Sequence, residues 1–309
     1  MANLTGRVIK ITGLIYHVKM PDETVLCSVR RSVKKKAEFE LSPVVVGDMV
    51  KVDVDPYPPS EGELRTGVIT EVEPRKTYFS KKKTTLKMEK QQLIAANIDQ
   101  MIVVASVKNP AFKMRLIDRF MITAMQGGVE QVVVVNKIDL KHDIDLEKVE
   151  KIYNSVGIEV IPTSARQRLG MDMLQETLKN KESVFVGQSG AGKSSLLNAI
   201  QPGLKLRTGE VSEKTGKGKH VTTVVELFPL DFGGFVVDTP GLRALGLTGL
   251  DKRNIDMFYD EIFETSHKCR FSDCRHKDEP DCAVKAAVEN GEIYRERYES
   301  YIRILAGTE

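Results

Sequence analysis

The chain has 309 residues, of which 41% are hydrophobic, 29% charged and 6% aromatic. That composition excludes bulk disorder, a collagen-like repeat and a disulfide-rich miniature scaffold, and at about 150 residues per domain it predicts two domains, or three if the outer ones are small. The net charge of +3, from 46 Lys and Arg against 43 Asp and Glu, is too balanced to argue for a nucleic-acid partner unless the charges are unevenly placed.

The N-terminal stretch Met1 to Lys10 lacks the apolar core of a signal peptide. No segment nears the ~18 apolar residues of a membrane span, so the expectation is a soluble, cytoplasmic protein with no membrane partner. From Gly6 to about Val72, β-branched runs at Arg7 to Ile15, Thr24 to Val29, Val44 to Val54 and Gly67 to Val72 alternate with turn signals. This spacing predicts a small all-β barrel, residues 1–75, broken at Asp55-Pro56-Tyr57-Pro58-Pro59 because proline cannot join a central strand. The first 92 residues carry 17 Lys and Arg against 12 Asp and Glu, clustered at Arg30-Arg31, Lys34-Lys35-Lys36 and Lys81-Lys82-Lys83. A basic barrel of this size reads as an OB-fold, with 76–92 as a linker.

Beyond residue 92 the pattern becomes that of a parallel α/β sheet, expected over 93–248. Apolar runs at Met101-Ala105, Val132-Val135, Ile158-Ile161, Val184-Val186, Val224-Phe228 and Phe235-Val237 predict strands. Helix-period segments lie between them at Lys113 to Gln126, Leu146 to Ser155 and Met171 to Asn180. The remainder, 249–309, is predicted to be mainly α, with helices over Asp251 to Thr265 and Ala283 to Ala306.

Gly187-Gln188-Ser189-Gly190-Ala191-Gly192-Lys193-Ser194 follows a strand and opens a helix at Ser195, the context a phosphate loop requires. Backbone N–H groups and a helix N-terminus converge there on phosphate, Lys193 is expected to reach the β and γ phosphates, and Ser194 to ligate Mg²⁺. Asn136-Lys137-Ile138-Asp139 and Thr163-Ser164-Ala165 both follow strands, at the edge where open α/β sheets bind ligands. An aspartate accepts two hydrogen bonds from guanine that adenine cannot offer, which tells against an ATP-dependent enzyme. These stretches resemble the guanine-specificity motifs of GTPases, with Asp139 as reader, Asn136 as brace, Lys137 over the base and the Ala165 N–H facing O6.

Asp238-Thr239-Pro240-Gly241 resembles the GTPase D-x-x-G switch, which makes Asp238 a Mg²⁺ residue and the Gly241 N–H a γ-phosphate sensor. The glycine-rich stretch Gly203 to Thr223 is expected to be the first switch, with Thr222 as Mg²⁺ and γ-phosphate ligand and Thr223 as the alternative. The base-reading motif precedes the phosphate loop, so the GTPase sheet is circularly permuted and the second switch leads straight into the C-terminal segment.

In that segment Cys269-x4-Cys274-x-His276-x5-Cys282 offers three thiolates and an imidazole, a complete tetrahedral set for one structural Zn²⁺. Cys27 stands apart as an ordinary thiol. Arg270, Arg275 and Lys277 sit among the ligands, either as phosphate contacts or as solvated charges.

Permuted motif order, a barrel in front and the cysteine-histidine pattern behind resemble the bacterial ribosome small subunit-dependent GTPase A family. The likeness spans nearly the whole chain, including Ala96-Asn97-Ile98-Asp99-Gln100 and Ile117-Asp118-Arg119. It implies a late assembly GTPase acting as a monomer on the 30S subunit, stimulated by it, contacting 16S rRNA through the barrel and zinc module, and departing after hydrolysis. Other assembly factors are further implied partners.

Leu242 follows Gly241, so no glutamine orients attacking water there; the resemblance offers His220, which as a residue could equally be a solvated loop histidine. Val221 stands where the family has a threonine. The rival from another class is an RNA-binding scaffold whose nucleotide site switches without meaningful turnover.

Overall fold

The computed structural model describes residues 3–36, 43–85, 88–204, 226–238 and 254–307. In the N-terminal unit, β1 (Asn3–Thr12), β2 (Ile15–Lys19) and β3 (Thr24–Val29) are followed by the short α1 (Arg31–Lys36), then β4 (Met49–Val54) and β5 (Thr66–Val72). β1 pairs with both β2 and β4, and β5 joins β3 to β4, which closes a five-stranded OB-like barrel. Alternate residues face inward: Val8, Val18, Val25, Cys27, Val50, Val52 and Ile69 are all buried in one cluster.

The expected strand Arg7 to Ile15 is two strands, because Gly13, at φ +63°, starts a two-residue hairpin loop. Likewise the run Val44 to Val54 becomes strand only at Met49. Gly47 lies at φ +92°, where a Cβ would meet the Ala96 carbonyl at 1.9 Å. Asp48 is fully buried, accepts from the Val45 N–H at 2.8 Å and is gripped by Arg75 at 2.7 Å. This turn fixes the barrel to the chain that follows rather than extending its sheet.

The segment expected as a linker is mostly strand: β6 (Tyr78–Thr85) and β7 (Met88–Ala96) form an antiparallel hairpin of their own. A lysine-rich run has no apolar alternation to announce it. Its base is pinned where Thr77 Oγ1 donates to the Ile98 carbonyl at 2.6 Å and Asn97 Nδ2 to Gly47 at 3.1 Å.

The central sheet contains β8 (Gln100–Ser106), β9 (Glu130–Asn136), β10 (Glu159–Pro162), β11 (Glu182–Val186), β12 (Glu226–Pro229) and β13 (Phe235–Asp238), in the order β10-β9-β8-β11-β13-β12. All pairs are parallel except β12 with β13. Both faces are covered, as near-continuous apolar strands require. Met101, Val103, Val133 and Val135 face α2 (Met114–Gln126) and α3 (Leu146–Asn154), whereas Ile102, Val104, Val132 and Val134 face α4 (Met171–Leu178) and α5 (Lys193–Ile200).

The C-terminal module has α6 (Asp260–Ser266), α7 (Ala283–Glu289) and α8 (Arg295–Ala306). The single helix expected over Ala283 to Ala306 is broken at Gly291, φ +78°. Ile122 of α2 enters this module's core beside Tyr259, Ile262 and Tyr301. Arg297 of α8, almost fully buried, donates to Asp118 at 2.5 Å and Glu261 at 2.8 Å, so one guanidinium ties α2, α6 and α8 together. Among the described residues, no helix is long and apolar enough to cross a membrane.

Candidate nucleotide site at the strand ends and a thiol cluster

Residues 187–192 join β11 to α5, which begins at Lys193, and the loop's glycines are there by necessity. Gly187, at φ +136°, would place a Cβ 2.1 Å from the Val104 carbonyl, and Gly192, at φ +101°, would place one 2.2 Å from Asn136 Nδ2. Lys193 curls back, its Nζ donating to the Gly187 and Gln188 carbonyls at 2.8 Å each. Ala191 is buried beneath the loop, Ser194 is half-buried and Ser195 is exposed at the helix start.

Parallel pairing of β8, β9 and β10 brings the segments after β9 and β10, residues 136–139 and 163–165, to the same edge. Asn136 is buried and braces the pocket: its Nδ2 donates to the Ala191 carbonyl at 2.9 Å, and its Oδ1 accepts from the Ala165 N–H at 3.2 Å and Thr163 Oγ1 at 3.4 Å. Lys137 sits at φ +67° and donates to the Gly190 carbonyl at 2.6 Å and to that of Asn109. Burial lowers its pKa, with Asp139 working against the shift. Asp139 Oδ1 accepts from Ser164 Oγ at 2.6 Å, and Ser164 Oγ in turn accepts from the Gln167 N–H at 3.0 Å. An aspartate held this way presents acceptor capacity to a base that brings two donors.

Asp238 ends β13, beside β11. Val221, His220, Thr222, Thr223, Gly241 and Leu242 lie outside the described residues.

Behind the sheet, Cys269, Cys274, His276 and Cys282 come together with their ligand atoms all within 4.8 Å of one another. Cys269 and Cys282 sulfurs are 3.9 Å apart, and His276 Nδ1 is 3.6 and 3.5 Å from them. Zn–S and Zn–N bonds of about 2.3 and 2.0 Å at tetrahedral angles give edges of this size, so the four residues fit a closed metal site. Burial lowers the His276 pKa, favouring the neutral ring that a metal takes.

Comparison with known proteins shows the family. The model of the RsgA GTPase family matches residues 72–248, more than half the chain. A small ribosomal subunit biogenesis GTPase RsgA from Chlorobaculum tepidum is 40% identical over 98% of this chain and 97% of its own length. One of the same name from Flavobacterium psychrophilum is 36% identical over 98% of this chain and 93% of its own.

The chain belongs to the RsgA GTPase family.

Its fold agrees. The crystal structure of YjeQ from Thermotoga maritima superposes with a TM-score of 0.77 at 36% identity, covering 99% of this chain and 98% of that one. YloQ, described as a circularly permuted GTPase, gives 0.74 at 28% identity, covering 99% and 95%. As a member of the RsgA family this protein is a GTPase, and its sheet order β12-β13-β11-β8-β9-β10 is a GTPase sheet entered in the middle.

Two features of this RsgA-family chain escaped the sequence reading. The turn after β8 supplies the Asn109 carbonyl to Lys137, while Ser106 Oγ holds the Pro110 carbonyl at 2.9 Å. Its only sequence signal is its position at a strand's C-terminal end. Glu279 folds the metal loop by accepting from the N–H groups of Arg275 and Lys277 at 2.8 Å and Asp278 at 3.1 Å. Burial opposes its ionisation, yet these N–H groups and its own hold the carboxyl down at about 2. Arg270 pairs with Asp281 at 2.9 Å and Lys277 with Asp278 at 3.2 Å, so these charges are met locally.

Proposed function

We propose that this protein is a cytoplasmic, monomeric GTPase that acts on the small (30S) ribosomal subunit during its maturation. It turns over faster when bound there, contacts 16S rRNA through its barrel and C-terminal module, and leaves after hydrolysis. One observation carries the reading: relatives named as small ribosomal subunit biogenesis GTPases match nearly end to end a chain whose Asp139 is already held by Ser164.

In this reading the amides of Gly187 to Ser195 cradle the phosphates, and Lys193 exchanges its two carbonyl partners for β and γ phosphate oxygens. Asp139 selects guanine, Lys137 covers the base, and Ser164 and the Ala165 N–H complete the pocket. Ser194, Thr222 and Asp238 would hold Mg²⁺, which when bound would supply charge neutralisation at the phosphates. The Gly241 N–H senses the γ-phosphate, and His220 positions the attacking water. Cys269, Cys274, His276 and Cys282 hold one structural Zn²⁺ that has no open position for catalysis.

The test is GTP turnover by the full chain alone, with purified 30S subunits, and with 50S subunits as control. Stimulation by 30S alone is expected. Equal rates in all three, with single-turnover hydrolysis on bound subunits no faster than in solution, would leave a nucleotide-switched RNA-binding scaffold instead.

A further inference from the structure

The barrel and the GTPase sheet are one sheet. β1 completes the barrel against β2 and β4, and at its other end pairs antiparallel with β12, the edge strand of the GTPase sheet, giving eleven continuous strands. Among the described residues the junction is one residue pair, Lys10 opposite Glu226. Their side chains also meet, with Lys10 Nζ 2.9 and 3.0 Å from the two carboxylate oxygens of Glu226 and each side chain about one-third exposed. Ile9 and Ile11 of β1 pack against the core that holds Leu227 and Val237.

Glu226 has a second partner. On its other side β12 pairs with β13, and the residue opposite Glu226 there is Asp238. Lys10, Glu226 and Asp238 therefore form one row across three strands, running from the barrel to the end of the strand that carries the second switch. In sequence Glu226 also lies four residues after Thr222, the expected ligand of the first switch. No other row among the described residues joins the barrel to both switch-bearing segments.

We propose that the Lys10–Glu226 pair is a positioning element that couples the barrel to the nucleotide state. The γ-phosphate acts on Thr222 and Asp238, Glu226 is paired with Asp238 in the sheet and follows Thr222 by four residues in sequence, and Lys10 carries its position into β1. Linkage makes the coupling reciprocal: whatever factor the nucleotide applies to a ligand of the barrel, that ligand applies to the nucleotide. A ligand gripping the barrel thus acts on nucleotide binding without touching the nucleotide. This deepens the proposed function and rests on its assignment of Thr222 and Asp238 as ligands.

Amide hydrogen exchange on the full chain, loaded with GDP or with a non-hydrolysable GTP analogue, tests it without ribosomes. In the wild type, changing the nucleotide should alter exchange in 226–229 and 235–238, and also at least threefold in residues 9–12. Lys10→Ala and Glu226→Ala should keep the first response and lose the second, and the charge-swapped double variant Lys10→Glu/Glu226→Lys should restore it. Wild-type β12 and β13 that respond while β1 does not would overturn the coupling alone. So would single variants that keep the β1 response, or a swap that fails to restore it. Silence in all three strands would instead defeat the ligand assignment and the coupling with it.

The kinetic counterpart is a split of parameters. In the single variants, KM for GTP, unstimulated turnover and affinity for 30S subunits should stay within twofold of wild type, while stimulated kcat falls at least fivefold and recovers in the swap. A purely structural role would lower all of these together.

Discussion

Asp139, the proposed base reader, is oriented by Ser164 on another strand end: the 2.6 Å hydrogen bond occupies one lone pair and leaves acceptor capacity for a base. Two charge-assisted hydrogen bonds to guanine, at about 1.5–3 kcal/mol each, make Asp139→Ala the costliest change in the base site. Affinity for a fluorescent GTP analogue should fall at least a hundredfold, and ATP should then compete as well as GTP. Ser164→Ala removes only the orienting bond, about 1 kcal/mol, so a roughly fivefold loss with guanine preference kept is the expected contrast.

Lys193→Ala should abolish hydrolysis outright, since no other side chain of the phosphate loop carries positive charge. His220→Ala should leave nucleotide binding near wild type and remove only subunit-stimulated turnover; single-turnover assays on 30S subunits distinguish the two. At this scale the motifs were legible because each chemistry demands particular residue types at short spacing. Asn109 was not, because it contributes a carbonyl, which every residue has.

Elements are held to one another by groups whose partners lie far away in sequence. Asp118 on α2, Glu261 on α6 and Tyr153 on α3 all converge on Arg297 of α8 or on one another in a buried site. Burial raises the Asp118 pKa even with the Arg297 guanidinium beside it, so this carboxylate is ionised at a cost that Arg297 offsets only in part. Arg297→Met should therefore destabilise by about 3–5 kcal/mol in urea unfolding, because it strands two carboxyls, whereas Arg303→Met on the exposed side of α8 should cost less than 1 kcal/mol.

The helices around the thiol cluster are short, and α7 starts directly after Cys282. Removing the proposed Zn²⁺ with a strong chelator should melt α6 to α8 cooperatively while GTP binding persists, as read by circular dichroism against nucleotide fluorescence; retained helicity after complete metal loss would contradict a structural metal. Cysteine spacing announced this site. Its supporting carboxylate, Glu279, did not stand out among the 14 acidic residues between positions 249 and 309.

At the scale of the whole molecule the seam between barrel and sheet is ionic as well as strand-paired. Arg7 of β1 reaches Glu182 at the start of β11, 3.0 Å away, and Glu182 shares its environment with Asp99, whose Oδ2 accepts the Glu182 N–H at 2.8 Å. Burial, then the hydrogen bond with Asp99, push the Glu182 carboxyl up to about 7 although Arg7 pulls the other way. A carboxyl near 7 when folded and about 4.3 when unfolded means that the native state holds a proton the unfolded state has released between those values. Stability should therefore decline as pH rises from about 4.3 to 7, with the full penalty above. Glu182→Gln should flatten that decline, so its Tm relative to wild type rises between pH 5 and pH 8; a constant difference would show that Glu182 does not titrate there. The net charge of +3 conceals domains of very different sign, basic at the front and acidic behind, and that much was visible by counting. Sequence alone determined the permuted order and brought out the candidate nucleotide residues and the cysteine-histidine cluster, because each is written in side chains a few residues apart. Only the tertiary structure decided that residues 76–92 are largely a hairpin, that Arg297 clasps α2, and that β1 belongs to two units at once. Those features consist of backbone pairing and buried charges between residues tens to hundreds of positions apart, and no local pattern of residue types encodes which distant edge a strand will meet.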